Sequence, residues 1–273
     1  VTKYEHVMEC LGKTPVRVIW KDGNVKVHAE GDPLIERCPL MRRREGFSKL
    51  TRETAERHVL NKVNEVGMFT PKRRIRSCRR YTPFGVSETL MTCLQHRLID
   101  AAVIVSDCAG TVVTDKPTIV QGLCGEISGI RDTDPIPEVV DRLEESGCLV
   151  LGKIDQREGV EIALEGRRRF VAVTVADAGE AETIREEFGD DVLIAAVHTT
   201  GTDEEDAERL VQYCDIITGC ASKTVRRAVG RRYILKAGSQ IPVYGITPAG
   251  AEALWLNVRE LLGDLKLEVR HLG

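Results

Sequence analysis

From Phe84 onward the chain alternates strand-sized apolar runs with helical stripes, and no other feature constrains its fold as tightly. Runs such as "AAVIV" at 101–105, "FVAVTV" at 170–175 and "VLIAAV" at 192–197 predict strands at about 101–106, 148–151, 170–175, 192–197, 214–218 and 241–246, each followed by a helix. Strands joined through helices demand right-handed crossovers and a sheet buried on both faces. The expected fold class is therefore α/β: a mostly parallel open sheet of about six strands, flanked by helices in three layers. A closed (β/α) barrel is the alternative, because short strands near 112 or 233 would raise the count.

Helix boundaries follow from capping chemistry. Asp134 as N-cap and Pro135 as first residue open a helix with Ile136, Val139, Val140 and Leu143 on one stripe. Thr202 and Glu205 stand at capping-box spacing, and Thr247-Pro248 begins a last helix that runs to about Leu262. After the strand at 101–106 no helix is expected at once; residues 107–133 read as a long, Gly-punctuated loop.

Residues 1–83 have a different texture and form the expected first unit, with 84–273 as the second. "VRVIWKDGNVKVHAE" alternates on both sides of Asp22-Gly23, a dipeptide that suits a type I′ hairpin. Thr51 then caps a helix with Ala55, Val59, Val63 and Val66 on one face, and Gly67 ends it. This N-terminal α+β unit is basic, with 19 Lys and Arg against 10 Asp and Glu, whereas the remainder holds 20 against 32. Segments 37–44, "RCPLMRRR", and 72–80, "KRRIRSCRR", concentrate that charge. They suit an acidic protein partner or the acidic second unit. Nucleic acid is disfavoured, because aromatics make up 4% of the chain and the basic runs lack aromatic interleaving.

The longest apolar runs fall far short of the roughly 20 residues a membrane span needs. The opening "VTKYEHVMECLGK" lacks an apolar signal core, so a cytoplasmic setting is expected. Nine irregularly spaced cysteines then imply reduced thiols more than a disulfide framework.

In open parallel sheets, ligands bind beyond the carboxyl ends of the strands, where loops and backbone donors collect. The residues that follow the predicted strands are therefore the candidates. Asp107, Cys108, Gly110 and Thr111 follow the first; His198, Thr199 and Gly201 the fourth; Cys220, Ser222 and Lys223 the fifth. Individually they have structural explanations: Asp107 as a turn cap, Cys108 as a small core residue, Thr202 as an N-cap. Together they suggest a site for a small anionic ligand, to which Gly125 in "GLCGEISG" (122–129) contributes as part of a flexible, anion-cradling turn. Cys220 is the candidate nucleophile, favoured by the nearby Lys223, and His198 is the acid–base candidate. Convergence of Cys108, Cys124, Cys220 and His198 would suit zinc or an iron–sulfur cluster, although no C-x-x-C pair is present.

Nucleotide motifs are missing. "LGKT" at 11–14 imitates the end of a P-loop, but Val7 stands where its first Gly should be. Neither G-x-S-x-G nor H-E-x-x-H occurs.

Several stretches, "ERCPLMRRREG", "FGVSETLMT", "DAAVIVSDCAGTVVTDKPTIVQGLCGEISGI", "PIPEVVDRLEESG", "KIDQREGVEIALEG", "AVHTTG", "GCASKTVR" and "IPVYGITPAG", together resemble the methanogenesis marker protein 8 family of anaerobic archaea. The resemblance implies a cytoplasmic protein whose presence tracks methane formation. It further implies an accessory role around methyl-coenzyme M reductase, in assembly, activation or cofactor maturation, with that system as protein partner. An enzyme acting on a small carboxylate or phosphate metabolite through Cys220 and His198 is the other expectation.

Overall fold

The computed structural model describes residues 2–166 and 168–262, and within them apolar runs buried on both faces build the centre of an open sheet. Strands β4 (Ala101–Ser106), β8 (Val171–Val175), β9 (Val192–Ala196) and β10 (Ile216–Thr218) lie side by side and parallel. Antiparallel strands extend both sides: β5 (Gly110–Thr114) and β7 (Leu149–Val150) beyond β4, and β12 (Val243–Gly245) and β11 (Leu235–Ala237) beyond β10. The order β11-β12-β10-β9-β8-β4-β5-β7 leaves two free edges, so the sheet is open and not a barrel. The expected parallel character belongs to its four central strands, and the short strands near 112 and 233 appear as the added β5 and β11.

Each face is covered by helices, completing three layers. Helices α6 (Gln156–Glu165), α7 (Ala178–Phe188), α8 (Glu204–Tyr213) and α9 (Lys223–Val229) pack Val160, Ile184, Leu210 and Val225 against Val103, Val173, Ile194 and Ile217. On the other face α3 (Val86–Gln95), α4 (Pro117–Cys124), α5 (Pro137–Glu145) and α10 (Pro248–Leu262) pack Leu90, Ile119, Val139 and Leu254 against Ile104, Ala172, Leu193 and Ile216. Burying such a Leu or Ile side chain stabilises by about 1.5–3 kcal/mol. Among the described residues no helix is long and apolar enough to cross a membrane.

The N-terminal segment forms a second sheet. β1 (Lys3–Cys10), β2 (Thr14–Lys21) and β3 (Asn24–Ala29) make an antiparallel meander. Positive φ at Asp22 (47°) and Gly23 (88°) matches the expected hairpin turn. α1 (Pro39–Glu45) follows, and then α2 (Arg52–Val66), capped by Thr51 and ended by Gly67 as the pattern predicts. The fourth strand, β6 (Ile130–Thr133), comes from the middle of the chain and pairs with β1.

Residues 107–133 are thus not a long loop. Asp107, Cys108 and Ala109 form a tight turn between β4 and β5, with Ser106 opposite Gly110 and with left-handed φ at Cys108 (68°) and Gly110 (73°). The remainder holds β5, α4 and β6. The predicted cap at Asp134 is also displaced: α5 starts at Pro137 with Ile136 as N-cap, because the Asp134 carboxylate accepts from Glu5 N (2.7 Å) and extends the β1–β6 pairing. Similarly, Asp203 caps α8 by accepting from Asp206 N, while the Thr202 hydroxyl donates back to Thr199 O.

A fully buried ion pair holds the two sheets together. Arg73 Nε donates to both Asp107 carboxylate oxygens at 2.9 Å, and the same carboxylate accepts from Phe69 N at 2.9 Å. The other Arg73 nitrogens donate to the carbonyls of Arg74, Gly122 and Leu123. Removing one member of a buried pair leaves an uncompensated charge, at a cost of roughly 3–5 kcal/mol. Asp107→Ala is therefore expected to lower unfolding free energy by about that amount in urea titrations; a loss below about 1 kcal/mol would contradict this account.

A cavity at the carboxyl edge of the parallel strands

The N-terminal sheet and α2 sit over the edge where β4, β8, β9 and β10 end, and the space between is a cavity of about 600 Å³. That volume lies within the range of small-molecule sites. Val105, Thr174, Val197 and Thr218 mark the strand ends in its floor. Met8, Cys10, Val59 and Met68 supply an apolar roof. The walls carry charges of both signs, many already paired: Arg44 with Glu126, and Lys62 with Glu126 (2.9 Å) and Glu65 (3.0 Å); His58 Nδ1 is in hydrogen-bond contact with Glu45. Lys13 is looser, 4.0 Å from Glu9, and Arg79 has its guanidinium over the Tyr81 ring at 5.2 Å.

Of the sequence-predicted site residues, His198, Cys220 and Cys124 line this cavity, and the others do not. Asp107 and Cys108 belong to the β4–β5 turn and are fully buried. Gly110 is there because any Cβ would lie 2.5 Å from Lys153 O. Thr111 is internal, its hydroxyl accepting from Asp155 N (2.8 Å). Gly125 caps the end of α4 against the Tyr81 ring. Thr199 is buried with its hydroxyl donating to Thr218 O (2.6 Å), and Ser222 is the N-cap of α9. Lys223 points into solvent as the first residue of α9, so it does not support a thiolate within the cavity.

The metal set is likewise not assembled. Cys108 is held in the turn beneath the Arg73–Asp107 pair, and among the described residues no three His, Cys, Asp or Glu side chains converge to hold a metal ion. Burial pushes the Cys124 thiol up to about 12 and the Cys108 thiol far above its ordinary value, where the adjacent Asp107 charge adds to the effect. Cys220 is raised too, by burial, while contacts from the Thr199 hydroxyl and the Thr199 and His198 amides oppose the shift.

His198 is the best-positioned group. It follows β9 with φ 58°, and Cys220, following β10, has φ 36°. Left-handed backbone costs a non-glycine residue roughly 1–2 kcal/mol, and surrounding structure must impose it. His198 Nε2 lies 3.2 Å from Glu9 Oε2 and Nδ1 lies 3.3 Å from Ser128 Oγ. Glu9 also accepts from Arg131 at 2.9 Å. Burial alone would raise the Glu9 carboxyl, but hydrogen bonds from His198 and Arg131 and the Arg131 charge hold it down at about 2. Burial lowers the His198 pKa; the hydrogen bond to Glu9 opposes this, and the Lys13 and Arg131 charges reinforce it. Imidazole is thus the resting form at neutral pH.

Glu9, Lys13, Ser128 and Arg131 were not singled out by the spacing of strands and helices, since they arrive from β1, the β1–β2 turn and the segment around β6. Two weak signals marked them: "LGKT" contains Lys13, and "GLCGEISG" contains Ser128. A further carboxyl sits beside the cavity wall, where Gln156 Nε2 donates to Glu180 Oε2 (3.1 Å). Burial, then Asp177 and Asp155, raise that Glu180 to about 7.

This architecture describes an α/β protein with a ligand-sized cavity roofed by a second sheet. The chain belongs to a family described as an uncharacterized protein conserved in archaea (DUF2099), which matches residues 6–259. It is 38% identical over 262 residues to an uncharacterized protein of Methanocaldococcus jannaschii, an alignment covering 94% of this chain and 91% of that relative. No solved structure matches the chain.

The hydrogen-bonding frame of His198 can be checked by nitrogen-15 imidazole NMR. The expected result is the Nε2–H tautomer with a titration midpoint below 6.5, moving lower still in Glu9→Gln because the raising contact is lost. A midpoint above 6.5 would refute the neutral resting form.

Proposed function

We propose that this protein is an enzyme acting on a small carboxylate- or phosphate-bearing metabolite, bound in the cavity with His198 as its acid–base group. The observation that carries the reading is the strain at the strand ends: His198 and Cys220 both adopt left-handed backbone where they line one ligand-sized cavity. Such strain concentrates at functional sites, where surrounding structure compels it. Lys13 and Arg79, the loosely committed cations of the wall, suit the anionic group. The lowered pKa of His198 leaves it able to take a proton at neutral pH. Cys220 is a weaker nucleophile than its position suggests, because burial keeps it protonated.

The resemblance to the marker protein 8 family adds a setting: a cytoplasmic step that serves assembly, activation or cofactor maturation of methyl-coenzyme M reductase. Archaeal kinship supports that setting. Engagement of an acidic protein partner by segments 37–44 and 72–80 would fall to residues left exposed, among them Arg42, Arg43, Lys72 and Arg76, because Arg73 and Arg80 are committed internally, the latter to Thr92 and Asn257.

Thermal unfolding in a panel of small carboxylates and phosphate esters tests the reading. A ligand at about 100 times its Kd adds about 2.7 kcal/mol, which raises Tm by several degrees. At least one anion should do so, and Lys13→Met should weaken its binding about tenfold. No shift with any anion, or an unaltered response in both Lys13→Met and Arg79→Ala, would remove the anion-binding reading.

A further inference from the structure

Three side chains from three distant segments meet at the cavity: Ser128 Oγ is 3.3 Å from His198 Nδ1, and His198 Nε2 is 3.2 Å from Glu9 Oε2. All three line the cavity wall. Resting on the reading of this cavity as a reaction site, we infer that Ser128 is a nucleophile activated by the His198–Glu9 pair, and that the substrate class is an ester or thioester carrying an anionic group.

The hydrogen-bonding roles follow from elementary chemistry. An ionised carboxylate only accepts, so the imidazole nitrogen facing Glu9 must carry its hydrogen. Nδ1 is then bare and turned to the one proton of the Ser128 hydroxyl. A nucleophile, a base within hydrogen-bond reach and a third group orienting the base are the elements of an activated hydroxyl. A hydroxyl, an imidazole and a carboxylate recur together on unrelated folds and in any chain order, there with Nε2 facing the hydroxyl and Nδ1 the carboxylate; here the two nitrogens exchange places, and the absence of G-x-S-x-G does not bear on the roles.

Local backbone is shaped to allow the contact. Gly129, directly after Ser128, has φ 80°, and a Cβ there would lie 2.2 Å from Glu9 O and 2.8 Å from His198 Cε1 and Nε2. Glycine therefore lets the imidazole approach closely the backbone that presents the serine. Glu126, two residues earlier, also has left-handed φ (62°) and is pinned by Arg44 and Lys62. Ser128 itself is exposed, so no demand of burial explains its contact with His198.

In the reaction, Ser128 Oγ forms a bond to the acyl carbon while its proton passes to His198 Nδ1. The bond from that carbon to the alkoxy or thiol group then breaks, and the leaving group takes the proton from Nδ1. Water then attacks the acyl carbon and gives a proton to Nδ1; the bond from that carbon to Ser128 Oγ breaks, Oγ takes the proton back from Nδ1, and the acid leaves with Ser128 restored. Lys13 is placed to attract the anionic group of the substrate.

The test uses the full-length protein and a fluorophosphonate probe, with which Ser128 Oγ forms an O–P bond as fluoride leaves. Peptide mass spectrometry should place the adduct on Ser128, and Ser128→Ala should abolish it. His198→Gln should slow labelling at least 100-fold, within the usual range of about 10²–10⁴ for a general base. Glu9→Gln, checked for folding by circular dichroism, should slow it as well and serves if His198→Gln does not fold. The inference is overturned by an unlabelled Ser128, by an adduct on Cys220 instead, or by wild-type rates in the folded His198 and Glu9 variants. A protein that shows the anion-dependent Tm shift without an adduct at Ser128 removes the nucleophile and leaves the binding reading intact. An adduct without any Tm shift supports the nucleophile and removes the anionic ligand class.

Discussion

The Arg73–Asp107 pair is the constraint on which the remaining structure depends. Both side chains are wholly excluded from water, an environment in which either alone would be costly. Asp107 fixes the β4–β5 turn and accepts from Phe69 N; the Phe69 side chain lies in the roof core with its ring tilted against that of His6 (centroids 4.7 Å apart). His6 Nδ1 is 2.7 Å from Thr133 Oγ1, and that oxygen accepts from Cys108 N (2.9 Å). The ring closes through β1, β6 and the turn. The roof sheet is thereby fixed at one height over the parallel strands, and the cavity is the space left between them.

That arrangement separates two kinds of basic residue within one charge run. In "KRRIRSCRR", Arg73 and Arg80 reach inward to a carboxylate, backbone carbonyls, Thr92 and Asn257, and they act as internal ties. Lys72 and Arg76 stay on the surface. Charge density alone cannot separate these roles, because the distinction depends on which residues face α3, α4 and α10 after folding. The acidic excess of the second part is consumed in the same way only in part, as with Asp107.

The strands of the central sheet and the helical faces beside them were legible because each is encoded by local periodicity. "AAVIVS" became β4 with its expected ends, and Asp22-Gly23 turned as its chemistry requires. β6 was not legible, since "IRDT" carries little strand character and is ordered by pairing with β1, more than a hundred residues earlier. Asp134 failed as a helix cap for the same reason: a long-range partner, Glu5 N, took its carboxylate. In the site, His198 was visible from its place at a strand end. Glu9 and Ser128 were not, because what brings them to the imidazole is the docking of the roof.

That docking gives the residues of the cavity a dependence that neither sheet has alone. His198 belongs to the end of β9, while Glu9 and Ser128 come with β1 and the segment leading into β6. Without the roof, His198 would lose the carboxylate that selects its tautomer as well as the burial that keeps it neutral. Lowered imidazole pKa and a fixed Nε2–H then both follow from one packing event, the seating of a mostly apolar roof on the strand ends. Tightly packed interiors transmit such a displacement, since close-packed side chains leave little room to absorb it. The ion pair at Asp107 thus lies outside the cavity and still governs it, by holding in register the two halves from which the imidazole and its partners come.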